Sequence, residues 1–202
     1  MYFPTLAIFT LLGTSLASKP SIIISQRQAA DGQPGPAQDV STIETRIADV
    51  AGVEAAIATA NGEITAFSTA VAAFDGTTPE NSLAFLTAFS RLGISINTVS
   101  QTILISGLLN VADSAAVYPD VALFTTSLSR AVGGVQAKFG PINASGFGGV
   151  VCASLESLLV EVELLLETVE AVFDISYENL IGVLGEQVDT QFEVALGAFC
   201  IA

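Results

Sequence analysis

Four glutamates share one face of an acidic stretch of the sequence, residues 155–173, which reads LESLLVEVELLLETVEAVF. Their spacing of seven, four and three residues is that of neighbours on one side of a helix: Glu156, Glu163, Glu167 and Glu170. Such a face could bind Ca²⁺ or supply a pair of acids. A single helix cannot surround a hard cation with six or more oxygens, however, and the sequence has no Asp-rich loop of EF-hand spacing. The pattern therefore predicts a solvated face and no metal site.

The sequence lacks the groups that most enzyme sites need. It contains no histidine, so its serines and threonines have no imidazole base to activate them. No GxSxG, GxGxxG, P-loop or HExxH pattern is present. We therefore predict that the protein is not an enzyme and needs no cofactor. The formal net charge of -14, from 6 basic and 20 acidic residues, also argues against nucleic acid as a partner.

The two cysteines predict a structural disulfide. Cys152 stands at the start of one predicted helix and Cys200 at the end of the next, and consecutive antiparallel helices bring those two ends together. Such a pair would be oxidised in a secreted protein. A reactive thiol pair is the alternative, but there is no CxxC spacing and no neighbouring cation to favour a thiolate. In the chain-entropy model, closing a loop of this length stabilises a fold by about 4 kcal/mol.

The N-terminal part of the sequence is predicted to precede the folded domain. Residues 1–17 contain an apolar run and end in Ser15-Leu16-Ala17, a small-residue pattern typical of a secretory signal peptide. A buried helix of the mature domain is the alternative interpretation. Residues 18–38 mix Pro, Gly, Gln and Ala without helical periodicity, which predicts a flexible leader. The helical domain then covers residues 39–202, and we predict secretion.

From residue 39 onward, apolar residues recur every three or four positions, which predicts helices and no strands. The first helix ends at Asp75-Gly76, and the second runs from Pro79 to about Gly107. The predicted inner residues of the first are Val40, Ile43, Ile47, Val50, Val53, Ile57, Ala60, Ile64, Phe67, Val71 and Phe74. Those of the second are Leu86, Phe89, Leu92, Ile96, Val99 and Ile103.

Three further helices complete the predicted fold. The third begins near Asp113 or at residues 118–120, because proline fits a first turn, and a glycine-rich loop covers residues 140–149. The fourth contains the acidic stretch, and the fifth runs from Ser176 or Tyr177 to the C-terminus. Their predicted inner residues are Val121, Phe124, Leu128, Val132, Val135 and Phe139, then Leu155, Leu158, Leu159, Val162, Leu165, Leu166, Val169, Val172 and Phe173, then Leu180, Leu184, Val188, Phe192, Ala195 and Phe199. The fold class is all-α, an antiparallel bundle of about five amphipathic helices.

Two surface properties follow from these assignments. Asn143-Ala144-Ser145 is an N-glycosylation sequon in the predicted loop, so we predict a glycan on Asn143. The acidic stretch is as long as a membrane span, but it carries five glutamates. Because one charge at the centre of a span costs about 2.5 to 3.5 kcal/mol on insertion scales, we predict no transmembrane segment in the mature chain.

The order and sequence of the helices resemble a known family. The chain has a signal peptide, a long helix ending in AVAAFDG, the segment AFLTAFSRLGISINTVSQTI, a helix end LSRAVGGVQAKF and the terminal VDTQFEVALGAFC. Over about residues 39–200 this arrangement resembles the fungal hydrophobic surface-binding protein A family, which includes cell-wall galactomannoproteins. The chain departs from the usual pattern in its third helix, where Lys138 alone stands in place of several expected cations.

The resemblance implies a secreted, non-enzymatic protein that adsorbs to hydrophobic surfaces or holds a lipid such as a fatty acid between its helices. The apolar residues expected to contact such a ligand are Phe67, Phe89, Ile96, Phe124, Leu128, Leu158, Leu165 and Phe192. Apolar stripes are more often ordinary core than the lining of a cavity, and the sequence leaves both open. For a bound carboxylate the candidate partners are Ser and Thr hydroxyls, water, or the cations Arg46, Arg91, Arg130 and Lys138.

Two other functions stay open on the sequence alone. One is a structural, O-glycosylated cell-wall mannoprotein without a specific ligand, for which cell-wall polysaccharide is the candidate partner. The other is a secreted inhibitor or effector that binds a partner protein. All three functions place the protein outside the cell or in the cell wall.

Overall fold

A computed structural model describes residues 48–200, and nearly all of them are helical. Within these residues, five long helices, one short helix and one turn of 3-10 helix follow each other along the chain. They are α1 (Val50–Ala73), α2 (Pro79–Ser106), α3 (Val111–Ala137), α4 (Phe139–Ala144), α5 (Gly148–Val172), the 3-10 turn Ile175–Tyr177 and α6 (Glu178–Phe199). The predicted all-α bundle is confirmed. The predicted signal peptide, the leader and the first helix before residue 48 lie outside the described residues.

The five long helices form a closed ring around one apolar interior. In order around the ring they are α1, α2, α5, α6 and α3, and α3 packs against α1 again. Consecutive long helices run antiparallel, as predicted. The ring also places α2 beside α5, and these two helices run in the same direction. The backbone N–H of Leu109, just after α2, donates to the carbonyl oxygen of Val172, the last residue of α5, at 2.9 Å.

The boundary between α1 and α2 follows from local sequence signals. Helix α1 ends at Ala73, and Gly76 in the following turn adopts a positive φ of 73°, which residues with a Cβ rarely adopt. The hydroxyl of Thr78 then accepts a hydrogen bond from the backbone N–H of Asn81 at 3.3 Å, and Pro79 occupies the first turn of α2. The predicted stop at Asp75-Gly76 and restart at Pro79 are both confirmed.

The start of α3 agrees with one of the two predicted positions. The helix begins at Val111, close to Asp113, so the alternative start at residues 118–120 is wrong. The side-chain oxygen of Asn110 caps the helix by accepting two backbone N–H groups of the first turn, at 2.8 and 3.0 Å. Pro119 lies inside α3. It is tolerated because it and the residue four positions earlier, whose carbonyl loses its N–H partner, both face solvent.

The predicted loop over residues 140–149 is partly wrong. The short helix α4 occupies its first half, and α5 begins at Gly148, which leaves three residues as the connection. Ile142 explains the difference, because its side chain is fully buried and holds the segment against the core. Pro141 does not oppose the helix, since it stands in the first turn, where no intrahelical N–H bond is lost.

The predicted inner faces are largely correct. Most of the inner residues that the structure describes are buried, and four are half-buried at the edges of the core: Val50, Leu86, Phe139 and Leu159. Leu180 is a wrong assignment, because 45% of its surface is exposed and the buried stripe of α6 starts one residue later, at Ile181. The four glutamates of the acidic face of α5 are exposed, as predicted for a solvated face.

One described helix, α2, is long and apolar enough to cross a membrane by length and composition. Its inner face forms one wall of the ring interior and carries buried side chains such as Phe89, Leu92 and Ile96. Core helices commonly combine these properties.

Candidate functional site: the apolar interior and the end pocket

The eight apolar residues predicted to contact a ligand all lie in the interior of the ring. Each of them exposes at most 5% of its surface, and together they belong to one hydrophobic core. All five long helices contribute: Phe67 from α1, Phe89 and Ile96 from α2, Phe124 and Leu128 from α3, Leu158 and Leu165 from α5, and Phe192 from α6. Their burial fits both a filled core and a ligand-binding interior, so their contact with a ligand stays a prediction.

Four phenylalanines pack together toward the end of the interior where α1 ends, and we call them the phenylalanine cluster: Phe67, Phe74, Phe85 and Phe89. Their ring centroids are 4.6 Å apart for Phe67 and Phe89, 5.1 Å for Phe85 and Phe89, and 5.0 Å for Phe74 and Phe85. The ring of Phe147 lies 6.4 Å from that of Phe74. These separations are within the range of attractive aromatic pairs, so a continuous aromatic path leads from Phe67 and Phe89 to this end of the bundle.

The sequence interpretation missed part of this path. Phe85 was not assigned to the inner face, where Leu86 was expected instead, yet Phe85 is fully buried and Leu86 only half-buried. The spacing Phe85, Phe89, Leu92 and Ile96, in steps of four, three and four, is the signal that identifies it. Phe147 fell in the predicted loop, and no periodicity there indicates that its side chain packs onto Phe74.

A solvent-open pocket, which we call the end pocket, lies at the same end of the bundle. Its volume is about 450 Å³, within the range of about 300 to 1,000 Å³ typical of small-molecule sites. Leu86 and Phe147 supply apolar lining, and the hydroxyl-bearing residues are Thr77, Thr78, Ser82 and Ser145; Gly76, Pro79 and Leu83 complete it. Because Phe147 also packs against Phe74, the end pocket adjoins the phenylalanine cluster.

The turn between α1 and α2 shapes one wall of the end pocket. A Cβ on Gly76 would lie 2.9 Å from the carbonyl oxygen of Pro141, so glycine allows this turn to pack against α4. The carboxylate of Asp75 accepts a hydrogen bond from the backbone N–H of Thr77 at 2.9 Å. This bond is the main cause that lowers the pKa of Asp75 below its ordinary value of 3.8. The stabilisation is present above pH 3.8 and is lost as the pH falls below it.

Among the residues that the structure describes, no cation lines the end pocket. The Nζ of Lys138 donates to two carbonyl oxygens at the end of α1, at 2.8 and 3.0 Å, and so closes that helix. Arg91 and Arg130 are exposed on α2 and α3 and do not line the pocket either. Arg46 lies outside the described residues. The polar groups that the described lining residues offer are therefore hydroxyls and the N-terminal end of α2.

The disulfide between Cys152 and Cys200 is confirmed. Their Cα atoms are 5.2 Å apart, although 48 positions separate the two residues, and the bond ties the start of α5 to the end of α6. A carboxylate oxygen of Glu156 lies within 4.8 Å of both sulfur atoms. The three residues do not make a metal site, because cysteine binds metals as a thiolate and both sulfurs are held in the disulfide.

The predicted glycosylation site lies beside the end pocket. Asn143 is exposed, but it stands near the end of α4 and not in a loop. Ser145, the third residue of the sequon, lines the pocket and donates its hydroxyl to the carbonyl oxygen of Ile142 at 2.8 Å. Glycosylation of Asn143 stays a prediction.

A family comparison and a structural comparison both find relatives of this chain. The sequence model of the family described as hydrophobic surface binding protein A matches residues 50–171, from the start of α1 almost to the end of α5. No match is found among curated proteins.

Solved structures of the same fold include two fungal proteins with bound fatty acids. AFMP4P in complex with palmitic acid has a TM-score of 0.71 and 18% identity, over 75% of this chain and 99% of that one. Ligand binding domain 1 of the Penicillium marneffei MP1 protein, complexed with arachidonic acids, has a TM-score of 0.68 and 18% identity, over 75% of this chain and 97% of that one. Ligand binding domain 2 of the same protein, complexed with multiple arachidonic acids, has a TM-score of 0.70 and 16% identity, over 76% of this chain and 97% of that one. At these identities the likeness shows the fold.

Proposed function

The chain belongs to the hydrophobic surface binding protein A family, and from this premise we propose that it is a secreted protein that binds a long-chain fatty acid and adsorbs to hydrophobic surfaces. The fatty acid would enter through the end pocket. The observation that carries this part is the contact of the end pocket with the phenylalanine cluster through Phe147 and Phe74. Proteins of the same fold crystallised with palmitic and arachidonic acids support it.

An acyl chain needs a narrow apolar surrounding, and the residues behind the end pocket offer one. In this proposal the chain displaces the half-buried ring of Phe147 and extends along Phe74 and Phe85 toward the interior. Gly146 precedes Phe147 in the connection between α4 and α5 at a positive φ of 79°, and glycine restricts a connection less than other residues do. Each methylene group that leaves water contributes about 0.8 kcal/mol, so affinity should rise with chain length until the apolar path is filled.

The carboxylate would stay at the mouth of the end pocket. The hydroxyl of Thr78 lines that mouth, and the N-terminal end of α2 carries a partial positive charge beside it. The hydroxyl of Ser145 also lies there, but it already donates to the carbonyl oxygen of Ile142. The described cations do not line it. We therefore expect the affinity for fatty acids to depend only weakly on ionic strength.

Secretion and a binding role without catalysis are part of the same proposal. The predicted signal peptide supports secretion, and so does the disulfide, because disulfides persist in oxidising compartments. The absence of histidine from the whole sequence supports a role in binding and not in acid-base catalysis.

Titration of the delipidated protein with a fluorescent fatty acid tests the proposal. We expect saturable binding, with palmitate competing more strongly than octanoate. Leu86→Trp fills the end pocket and should weaken binding at least about tenfold, or about 1.4 kcal/mol. Ile94→Trp is the matched control, because Ile94 is exposed on the same helix outside the pocket. Binding that does not saturate, or equal binding by both variants, would show that the proposed site is wrong.

A further inference from the structure

The end of the bundle opposite the end pocket carries a group of exposed aliphatic side chains. The two ends are separated by the length of α2, 28 residues or about 40 Å. At this far end Leu108 exposes 77% of its surface and Ile175 exposes 82%. Leu104, Ile105 and Val111, which neighbour Leu108 in the chain, are each more than half exposed. We call these five residues the apolar tip.

The apolar tip is built from two turns that hydrogen bonds hold together. The α2–α3 turn is joined to the end of α5 by the bond from the N–H of Leu109 to the carbonyl oxygen of Val172, at 2.9 Å. The α5–α6 turn is joined to α3 by the bond from the N–H of Asp174 to the hydroxyl oxygen of Ser114, also at 2.9 Å. The highly exposed Leu108 and Ile175 therefore belong to one end surface, although their turns are far apart in sequence.

Several polar groups of the two turns already have protein partners, which lowers the cost of bringing the aliphatic side chains between them against an apolar surface. The side-chain oxygen of Asn110 accepts two N–H groups of the first turn of α3, at 2.8 and 3.0 Å. The carboxylate of Asp174 accepts the backbone N–H and the hydroxyl of Ser176, at 3.0 and 2.6 Å. Polar groups that lose water without such partners cost free energy. These turns therefore present aliphatic side chains beside several backbone N–H groups that already have protein partners, among them those of Leu109 and Asp174.

The charges around the apolar tip indicate which kind of surface it can contact. The described charged residues at this end of the bundle are acidic: Asp49, Asp113, Glu170, Asp174 and Glu178. The described cations lie elsewhere, with Arg91 in the middle of α2, Arg130 in the second half of α3 and Lys138 at the opposite end. An anionic lipid surface, or a second copy of this acidic chain, would be repelled by the acidic rim. An uncharged hydrocarbon surface would not be repelled.

We propose that the apolar tip is the face by which the protein adsorbs to uncharged hydrocarbon surfaces. The driving force is removal of aliphatic side chains from water, for which the end surface needs no rearrangement of the core. This inference rests on the adsorption part of the proposed function and assigns it to a site separate from the end pocket. Because the two lie at opposite ends, the adsorbed protein keeps its end pocket in water and free to bind a fatty acid.

Adsorption to alkyl-coated silica beads, with bare silica as the background, tests the tip. The double variant Leu108→Ser/Ile175→Ser should lose at least about tenfold in affinity for the coated beads. The matched control is Ile94→Ser/Val160→Ser, which removes two aliphatic side chains, 67% and 62% exposed, from the flanks of α2 and α5. The control should stay within about twofold of the wild type. All four positions are exposed, so both variants should fold and retain fatty-acid binding.

A fluorescent probe locates the contact without removing apolar surface. The sequence contains no tryptophan, so Ile175→Trp and Val160→Trp each introduce a single reporter. On coated beads the emission should shift to the blue for position 175 and stay unchanged for position 160. Equal adsorption by the tip and flank serine variants, a blue shift at position 160 alone, or adsorption to anionic vesicles as strong as to alkyl beads would overturn the tip as the site. A wild type that does not adsorb at all would instead overturn the adsorption part of the proposed function.

Discussion

The Nζ of Lys138 lies 3.0 Å from the carbonyl oxygen of Phe74, so a side chain at the end of α3 closes the end of α1. The same ammonium donates to a second carbonyl of α1 at 2.8 Å. A cation at this position satisfies acceptors that the helix leaves unpaired and complements the negative end of its dipole. The contact also holds Phe74 where it meets Phe147, at the boundary between the end pocket and the interior.

Lys138→Met should therefore destabilise the fold. We expect a loss of about 1 to 2 kcal/mol in the free energy of unfolding, because hydrogen bonds from a charged donor are removed while the carbonyls stay partly accessible to water. Urea denaturation followed by circular dichroism measures it. Arg130→Met is the control, since Arg130 is exposed on the same helix. Similar losses in both variants would contradict the capping role of Lys138.

Gly76→Ala should damage the turn that lines the end pocket. Alanine disfavours the positive φ of 73°, and its Cβ would meet the carbonyl oxygen of Pro141 at 2.9 Å. We expect a loss of about 1 to 3 kcal/mol in stability and weaker fatty-acid binding. Gly62→Ala is the control with the opposite expected sign, because Gly62 lies inside α1 and a Cβ added there would have nothing within 4 Å. That variant should gain about 0.5 to 1 kcal/mol. Thermal unfolding of both variants compares the two effects.

Removal of the disulfide should cost more than any of these surface changes. The double variant Cys152→Ser/Cys200→Ser frees a loop whose ends are 48 positions apart, and the chain-entropy model gives a loss of about 4 kcal/mol. Chemical denaturation of the variant, compared with the oxidised wild type with and without a reducing agent, measures this loss. A variant as stable as the oxidised protein would show that packing of α5 on α6 alone holds these ends.

Asn143 should carry an N-linked glycan when the chain is secreted from a eukaryotic host. The residue is exposed near the end of α4, so the acceptor amide is accessible. An N-glycosidase should increase the electrophoretic mobility of the wild type and leave Asn143→Gln unchanged. An unchanged wild type would refute the assignment. Because Ser145 of the same sequon lines the end pocket, the glycan would sit beside the pocket mouth.

The helical faces could be predicted from sequence wherever the apolar period was unbroken. In α5, the buried residues Leu155, Leu158 and Val162 follow the expected period, and their glutamate neighbours face solvent. The prediction was wrong where two apolar residues both fit the period. Leu180 and Ile181 stand four and three positions before the buried Leu184, and the structure buries Ile181 and not Leu180.

The candidate site was predicted less completely than the fold. Phe67 and Phe89 were identified as interior residues because both continue a helical stripe. The end pocket was not predicted, because it lies between the α1–α2 turn and the α4–α5 connection. These two segments lack periodicity and are far apart in the chain. The apolar tip was not predicted for the same reason, because Leu108 and Ile175 belong to turns that are far apart in the chain.

The sequence by itself determined the helices, most of their buried faces and the pairing of Cys152 with Cys200. These features depend on the helical period, on capping residues and on the antiparallel course of consecutive helices, which are local properties of the chain. Only the tertiary structure decided that α2 lies beside α5, that Phe147 packs on Phe74 and that two distant turns share one end of the bundle. These contacts join residues far apart in sequence, and they depend on how all five long helices fill a common interior at once.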